Sequence, residues 1–333
     1  MMKRTITLIL LLCLLAALLS GCSGALPSLP SLPAAETPAS EPTPEPEIEP
    51  TPEPFRGPER LKLGFTLPSV EDSPEDLRFY FSPAAEFDCA FCYPAYCAAW
   101  AEKGAVRLSP SWFFARLFFT SVEKENENAP DALLDLLEPG KWGTVPNVGT
   151  AGSGWGALRA AHLKYDTWRR WVAWETSERY CLLYGVCFDG REGEVGTIFD
   201  IVSESFLTSA ELLSSAPESG ELLRQDDALS LSFDGAELRG EYPVYTAELR
   251  LSVTNEGDAA RELYVDSLSL DGTETALDAR CRAESGESLL WTLSLPIAAG
   301  EDGVLCRALS LRVSACGEDG AALFELPVDI TLD

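Results

Sequence analysis

The sequence predicts two folded parts of different class: an α+β domain over residues 59–217, then an all-β antiparallel sandwich over residues 226–333. Three observations predict it. The chain before residue 59 is too rich in proline and glutamate to form a core. The middle has helix-like spacing ahead of a hairpin. The last third alternates apolar and polar residues between turn signals.

Residues 1–21 read as an export leader. Lys3 and Arg4 precede an apolar run from Ile6 to Leu19 of about fourteen residues, short of the ~20 that span a bilayer. No later segment is long and apolar enough to span. The leader ends in Leu19-Ser20-Gly21-Cys22, which resembles the lipobox of bacterial lipoproteins. That resemblance implies cleavage before Cys22 and a diacylglycerol thioether on it. It also implies anchoring to the extracytoplasmic face of the cell membrane, since two or more acyl chains hold stably where one does not. Residues 22–58 then form a stalk. Pro27, Pro30 and Pro33 are followed by Thr-Pro and Glu-Pro units from Glu41 to Pro54. Proline fixes φ and lacks an N–H, so the stretch favours polyproline II and reaches roughly 100 Å at ~3.1 Å per residue.

In the first folded part, Leu61–Leu67 and Leu77–Phe81 read as strands. Pro94–Lys103 reads as a helix stopped by Gly104. Ser109-Pro110 reads as an N-cap and first turn for a second helix through Val122. Asn128 and Pro130 open a third helix, closed by Pro139-Gly140. Gly156 to about Arg170 reads as a fourth, with Leu158, His162, Tyr165 and Arg169 on one face. A hairpin follows, from Arg179–Phe188 across Gly190–Gly193 to Val195–Ser203.

In the second part, Leu229–Phe233 meets a turn at Asp234-Gly235, and Ala247–Val253 meets Asn255-Glu256-Gly257. Leu263–Leu270 ends at Asp271-Gly272, and Leu289–Leu295 precedes Pro296. Leu305–Ala315 and Ala322–Leu332 are joined across Gly317–Gly320. About seven strands in ~108 residues match an immunoglobulin-like sandwich in size. The segment from Ala247 to Gly257 is similar to the small Ig-like modules of Firmicute lipoproteins, which implies a fold and is silent on ligand.

Charge narrows the partners. The chain carries 53 acidic and 25 basic residues, for a net −28, and no lysine follows Lys164. Nucleic-acid binding needs clustered cations and is excluded as a function class. Anionic lipid is repelled too, so the expected membrane contact is the lipid anchor, with the head held away from the surface.

Of ten cysteines, Cys13 leaves with the leader and Cys22 takes the lipid. Five remain in the first part (Cys89, Cys92, Cys97, Cys181, Cys187) and three in the second (Cys281, Cys306, Cys316). An exported location permits disulfides. Cys181 and Cys187 lie about 20 Å apart on one predicted strand and cannot bond each other, whereas Cys89 and Cys92 can bridge if they share a turn. The spacing Cys89-x2-Cys92-x4-Cys97 leaves open a disulfide, a metal centre completed by Cys181 or Cys187, or buried thiols. No metal or cofactor is assigned.

A cysteine opening a helix is how thiol hydrolases lower a thiolate pKa. From Cys89, the run to Gly104-Ala105-Val106 resembles the transglutaminase-like core. From Cys92, the following helix and Leu108-Ser109-Pro110 resemble papain-type peptidases. The stretch from Cys181 to Phe188 departs from that pattern, with Cys181 where the family has its histidine. The oxyanion glutamine is also missing, Gln225 being the only glutamine. The resemblance therefore implies a degenerate relative. His162, the sole histidine, is the candidate base for Cys89 or Cys92, oriented by Asp166 or Glu175. Its bland reading is a helix-face residue packed on Trp155 and Tyr165. One histidine excludes zinc-hydrolase motifs of the His-Glu-x-x-His kind. The glycine-rich Gly149–Gly154 lacks the Lys-Ser/Thr of a phosphate loop and reads as a flexible connection.

Five tryptophans crowd one stretch: Trp142, Trp155, Trp168, Trp171 and Trp174. Trp168, Arg169, Arg170 and Trp171 are the candidate ligand platform, since four such residues in a row do not all bury; core packing is the alternative. The expected function is a non-catalytic binding role at the cell surface, toward extracellular glycan, peptide or an envelope protein. The alternative is a cysteine-dependent hydrolase or transferase using Cys89 or Cys92 with His162.

Overall fold

A computed structural model describes residues 57–102, 104–110, 115–125, 133, 158–164, 167–188, 190–226, 228–298 and 303–333; for 115, 158–164, 167–169 and 188 it describes backbone only. The stretch Glu53–Asp333 forms one compact unit. It is mostly β, with three sheets and two helices among the described residues. Cys22, the expected stalk as far as residue 56, the third expected helix (Leu133 excepted) and Gly149–Gly154 lie outside the described residues.

Strands β1 (Leu61–Phe65), β10 (Leu213–Ser215), β14 (Arg261–Leu270), β15 (Thr273–Thr275), β16 (Arg280–Ala283), β18 (Ala308–Gly317) and β19 (Ala322–Leu332) form the first sheet. Strands β2 (Leu77–Ser82), β3 (Cys89–Pro94), β11 (Leu222–Gln225), β12 (Leu229–Glu241), β13 (Val244–Asn255) and β17 (Ser288–Ala298) form the second, in the order β17-β13-β12-β2-β3 with β11 also on β12. The two sheets share one core. Leu249, Leu251 and Val253 of β13 and Leu293 and Leu295 of β17 enter it from one side, and Val313 of β18, Val328 and Ile330 of β19 from the other. From Tyr245 to Asn255, β13 alternates buried and half-buried residues, the pattern of a sheet with one face covered. The C-terminal strands thus lie where alternation put them. Asp234-Gly235 is not a turn, however: β12 runs through it with a register shift between Phe233 and Gly235, and the chain reverses at Tyr242-Pro243.

The sheets do not respect a boundary between residues 217 and 226. β1 pairs in parallel with β19, Leu61 opposite Val328 through Phe65 opposite Leu332. β2 pairs with β12 through Phe81–Gly240 and Tyr80–Glu241.

The third sheet corrects the α+β expectation for 59–217. Its order is β4 (Cys97–Glu102), β5 (Ala105–Pro110), β6 (Ala115–Glu123), β9 (Arg179–Phe188), β8 (Thr167–Glu175), β7 (Leu158–Lys164). The expected helix 94–103 is the end of β3 and all of β4. Gly104, with φ +77°, is a hairpin residue and not a helix stop, and Glu102 pairs with Ala105 across it. The expected helix from Ser109-Pro110 to Val122 is β5 and β6, with Pro110 opposite Cys97. The expected helix 156–170 is a β-hairpin, where His162 pairs with Arg169. In 94–103 and 156–170 alanine-rich residues with helical propensity are held as strands by cross-strand pairing, the usual tertiary override of a weak local preference, whereas 109–122 is rich in phenylalanine, which itself favours a strand.

The opposite error occurs at Val195–Ser203, expected as a strand. It lies in helix α1 (Glu192–Glu204), whose buried Val195, Ile198, Phe199, Ile201 and Val202 follow helical spacing. Glu192 and Glu194 in its first turn favour the positive end of the helix dipole. The apolar face of α1 packs on the third sheet and on β3, around Phe91, Leu108, Leu117, Phe119, Val172 and Leu183. Arg170 of β8 fastens it, bonded to Asp200 at 2.6 Å with its guanidinium 4.4 Å from the Phe199 ring centroid. A short helix α2 (Ser209–Leu212) follows, begun by a capping box between Thr208 and Glu211.

Arg179 ties the β2–β3 connection to the third sheet. Nearly buried, it donates to Ser121 Oγ at 2.9 Å, to the Ala84 carbonyl at 3.1 Å and to the Glu86 carbonyl at 2.8 Å. Its carboxylate neighbour, Glu123, is exposed and 3.5 Å away. Arg179→Ala leaves buried acceptors unpaired and is expected to cost about 3 kcal/mol, whereas Glu123→Gln changes stability by under about 0.5 kcal/mol; urea unfolding of both variants measures the contrast.

Candidate functional site

Cys89 and Cys92 both lie on β3, buried, and not at the start of a helix. Three residues apart on a strand, they face opposite sides, so they neither bridge each other nor share a metal. Cys89 enters the core under α1 together with Cys97, Cys181 and Cys187. The Cys92 thiol donates to the Pro68 carbonyl at 3.1 Å, and the Cys92 N–H donates to Ser205 Oγ at 2.8 Å. All eight cysteines of the folded part are free thiols. Among the described residues no cluster of three or more His, Cys, Asp and Glu is arranged to hold a metal.

Burial pushes these thiols up. Desolvation raises Cys92 to about 12 against a smaller lowering by the Ser205 hydroxyl. It raises Cys97 and Cys181 to about 12 and Cys187 to about 11. Cys89 is raised well above the ordinary thiol range, first by desolvation, then by the neighbouring Cys181 and Asp88. A thiol nucleophile needs the opposite shift. His162 stands on β7, and its side chain, like those of Trp168 and Arg169, lies outside the described part; so do Trp142, Trp155, Tyr165 and Asp166. Of the expected ligand platform, Trp171 is 7% exposed and packs in a small core with Ala173, Leu182 and Leu133, and Arg170 is engaged with Asp200 and Phe199.

The feature that draws together unassigned polar and apolar groups is a groove that the sequence did not reveal. It has a volume of about 360 Å³ and lies beside β2, the β12–β13 turn and the segment leading into β18. Asp76, Arg78, Ala95, Tyr242, Val304 and Arg307 are among its lining residues. The Arg78 guanidinium lies over the Tyr242 ring, 3.5 Å from its centroid. Tyr245 braces the floor, its hydroxyl donating to the Phe79 carbonyl at 2.8 Å and accepting from the Phe79 N–H at 3.2 Å. Gly303, with φ +57°, passes so close to Tyr242 that a Cβ would fall 2.5 Å from Cε2, so only glycine fits there. One lining residue, Val304, is a large apolar side chain left 72% exposed. Two others that are exposed, Val244 and Tyr96, adjoin the lining residues Tyr245 and Ala95 in sequence. Strand alternation hides such a site, because Asp76 and Arg78 read as ordinary outward residues until Tyr242 and Val304 are brought opposite.

No protein-family model matches the chain, and no curated protein matches it. Solved structures that resemble it distantly include the following two. A crystal structure from Bacteroides thetaiotaomicron VPI-5482 is 14% identical over 46% of this chain and 52% of its own, with a TM-score of 0.25. Bacteroides uniformis beta-glucuronidase 2, covalently bound to cyclophellitol-6-carboxylate aziridine, is 11% identical over 66% of this chain and 26% of its own, with a TM-score of 0.22. The chain therefore spans about half the length of the first and a quarter of the second. Similarity at this level carries no argument about fold or activity.

In the reduced protein at pH 8, iodoacetamide is expected to modify the half-buried Cys281 and Cys316 well before Cys89, Cys92 or Cys181, as mapped by peptide mass; fast alkylation of Cys89 or Cys92 would restore the thiol-nucleophile reading. Since the folded-state values are raised, the sign is fixed. Their contribution to stability is full below the ~8.5 of a free thiol and falls as pH rises toward about 12. Thermal melts from pH 8 to pH 11, compared between the parent and Cys92→Ala, measure that slope.

Proposed function

We propose that this chain is an exported lipoprotein, anchored through Cys22, whose folded head has a non-catalytic binding role toward an extracellular glycan, peptide or envelope protein. The observation that carries the binding role is the groove at Arg78, Tyr242 and Val304, which is lined by a stacked guanidinium and an exposed apolar side chain. Anchoring is supported by Leu19-Ser20-Gly21-Cys22 and by the proline–glutamate stalk that follows. Within the head, residues 226–333 are read as an Ig-like sandwich. Placement of β12, β13 and β17 in one sheet and β14, β18 and β19 in the facing one supports that reading. The cysteine-hydrolase alternative has no observation in its favour, since burial raises both candidate nucleophiles.

The anchor is tested by metabolic labelling with an alkyne-palmitate in a bacterial host. The parent chain is expected to label and to sediment with membranes. Cys22→Ala is expected to lose the label entirely and leave the membrane fraction. Labelling that survives Cys22→Ala refutes anchoring at this residue.

A further inference from the structure

The groove carries a more specific reading, which rests on the binding role just proposed. Among the described residues, its charges at Asp76 and Arg78 are not neutralised by an ion pair. Asp76 and Arg78 line it two residues apart, at the entry to β2, and neither has an ion-pair partner among the described residues. This is notable for Arg78 in a chain with 53 acidic residues, where most described arginines find a carboxylate. Stacking on Tyr242 uses the flat face of the guanidinium and leaves the N–H donors along its edge. Arg307 lines the same groove, with Nη1 3.5 Å from the Leu332 carbonyl, too long for a strong bond. Asp76 supplies the opposite charge, and its backbone carbonyl is held by the Ala95 N–H at 2.7 Å. Leu77, Ala95, Val304 and Leu305 provide apolar wall between and beside these groups.

We propose that the groove binds a short zwitterionic peptide, with the ammonium on Asp76, the terminal carboxylate on Arg78 and an apolar side chain against Val304. Two observations favour this ligand over a sugar, and a third favours it over a folded partner. A sugar ring stacks on an open aromatic face, whereas Tyr242 is covered by Arg78 on one face and crowded by Gly303 at its edge. The exposed large apolar residue on the lining, Val304, is aliphatic, which suits a side chain better than hydroxyls. The volume of about 360 Å³ is at the small end of the ~300–1,000 Å³ of ligand sites, enough for a dipeptide and not for a folded partner.

The test is isothermal titration calorimetry on the full chain in detergent, with free dipeptides ending in Ala, Val, Leu or Phe. Each is compared with its N-acetyl and its C-amide form, and glucuronic acid serves as the saccharide arm. At least one free dipeptide is expected to bind, and blocking either end weakens it at least tenfold. Arg78→Gln is expected to abolish the distinction between acid and amide, and Asp76→Asn the distinction between free and acetylated amine. Val304→Asp, at an exposed position that does not threaten folding, lowers affinity at least tenfold. The proposal falls if no free dipeptide binds, or if glucuronic acid binds in their place. It also falls if blocked and free forms bind alike, but the groove is then still a binding site and the broader reading stands. Palmitate labelling of Cys22 is unaffected by any of these outcomes.

Discussion

The fold depends on one strand being buried on both faces. Every residue of β3 is inaccessible. Ala90 faces the core shared by the first two sheets, while Cys89, Phe91 and Tyr93 face the core under α1. A strand in that position cannot leave an edge unpaired, because its backbone groups have no water to turn to. β2 satisfies one edge. The other is met by the chain after α1: Ala90 and Leu207 exchange backbone hydrogen bonds, and Ser205 Oγ receives the Cys92 N–H. Asp88 then accepts from the Ser209 N–H as α2 begins. The two cores are joined through this strand by covalent chain and hydrogen bonds, in addition to surface contact.

That constraint explains the cysteines better than any chemistry does. Cys89, Cys97, Cys181 and Cys187 occupy positions where a small, weakly polar side chain fills space beside aromatic rings such as Phe91 and Phe119, and Cys92 is buried on the other face of β3. Their spacing suggested a site because sequence reports proximity along the chain, and β3 places Cys89 and Cys92 on opposite faces. Arg179 is the counterpart case. It is one of the few charged residues buried here, and it is fully used in holding the 84–87 connection against β6 and β9.

Legibility in the sequence followed the strength of the pattern. β13, β14, β17, β18 and β19 could be read because one face of each is covered and the other is wet, so that alternation survives in the residues themselves. β4 to β8 could not. Cys97-Ala98-Ala99-Trp100-Ala101-Glu102 carries alanines that favour helix locally, and only pairing with β5 holds it extended. Val195-Gly196-Thr197-Ile198-Phe199 misleads in the other direction. Its β-branched residues suggest a strand, but the buried set recurs at three- and four-residue steps. The groove was beyond reach for a different reason: Arg78, Tyr242 and Val304 are far apart in sequence and meet only through the pairing of β2 with β12.

The parallel pairing of β1 with β19 has a mechanical consequence. β1 is the first strand along the described chain, and it lies between β10 and β19, not at the rim of its sheet. Tension applied from the N-terminal side of the described residues enters at Leu61 and runs along the strand axis. The ladder from Leu61–Val328 to Phe65–Leu332 then bears the load in shear, all its bonds together, where a rim hairpin would open one rung at a time. A head tethered as proposed above is built to keep its shape when pulled.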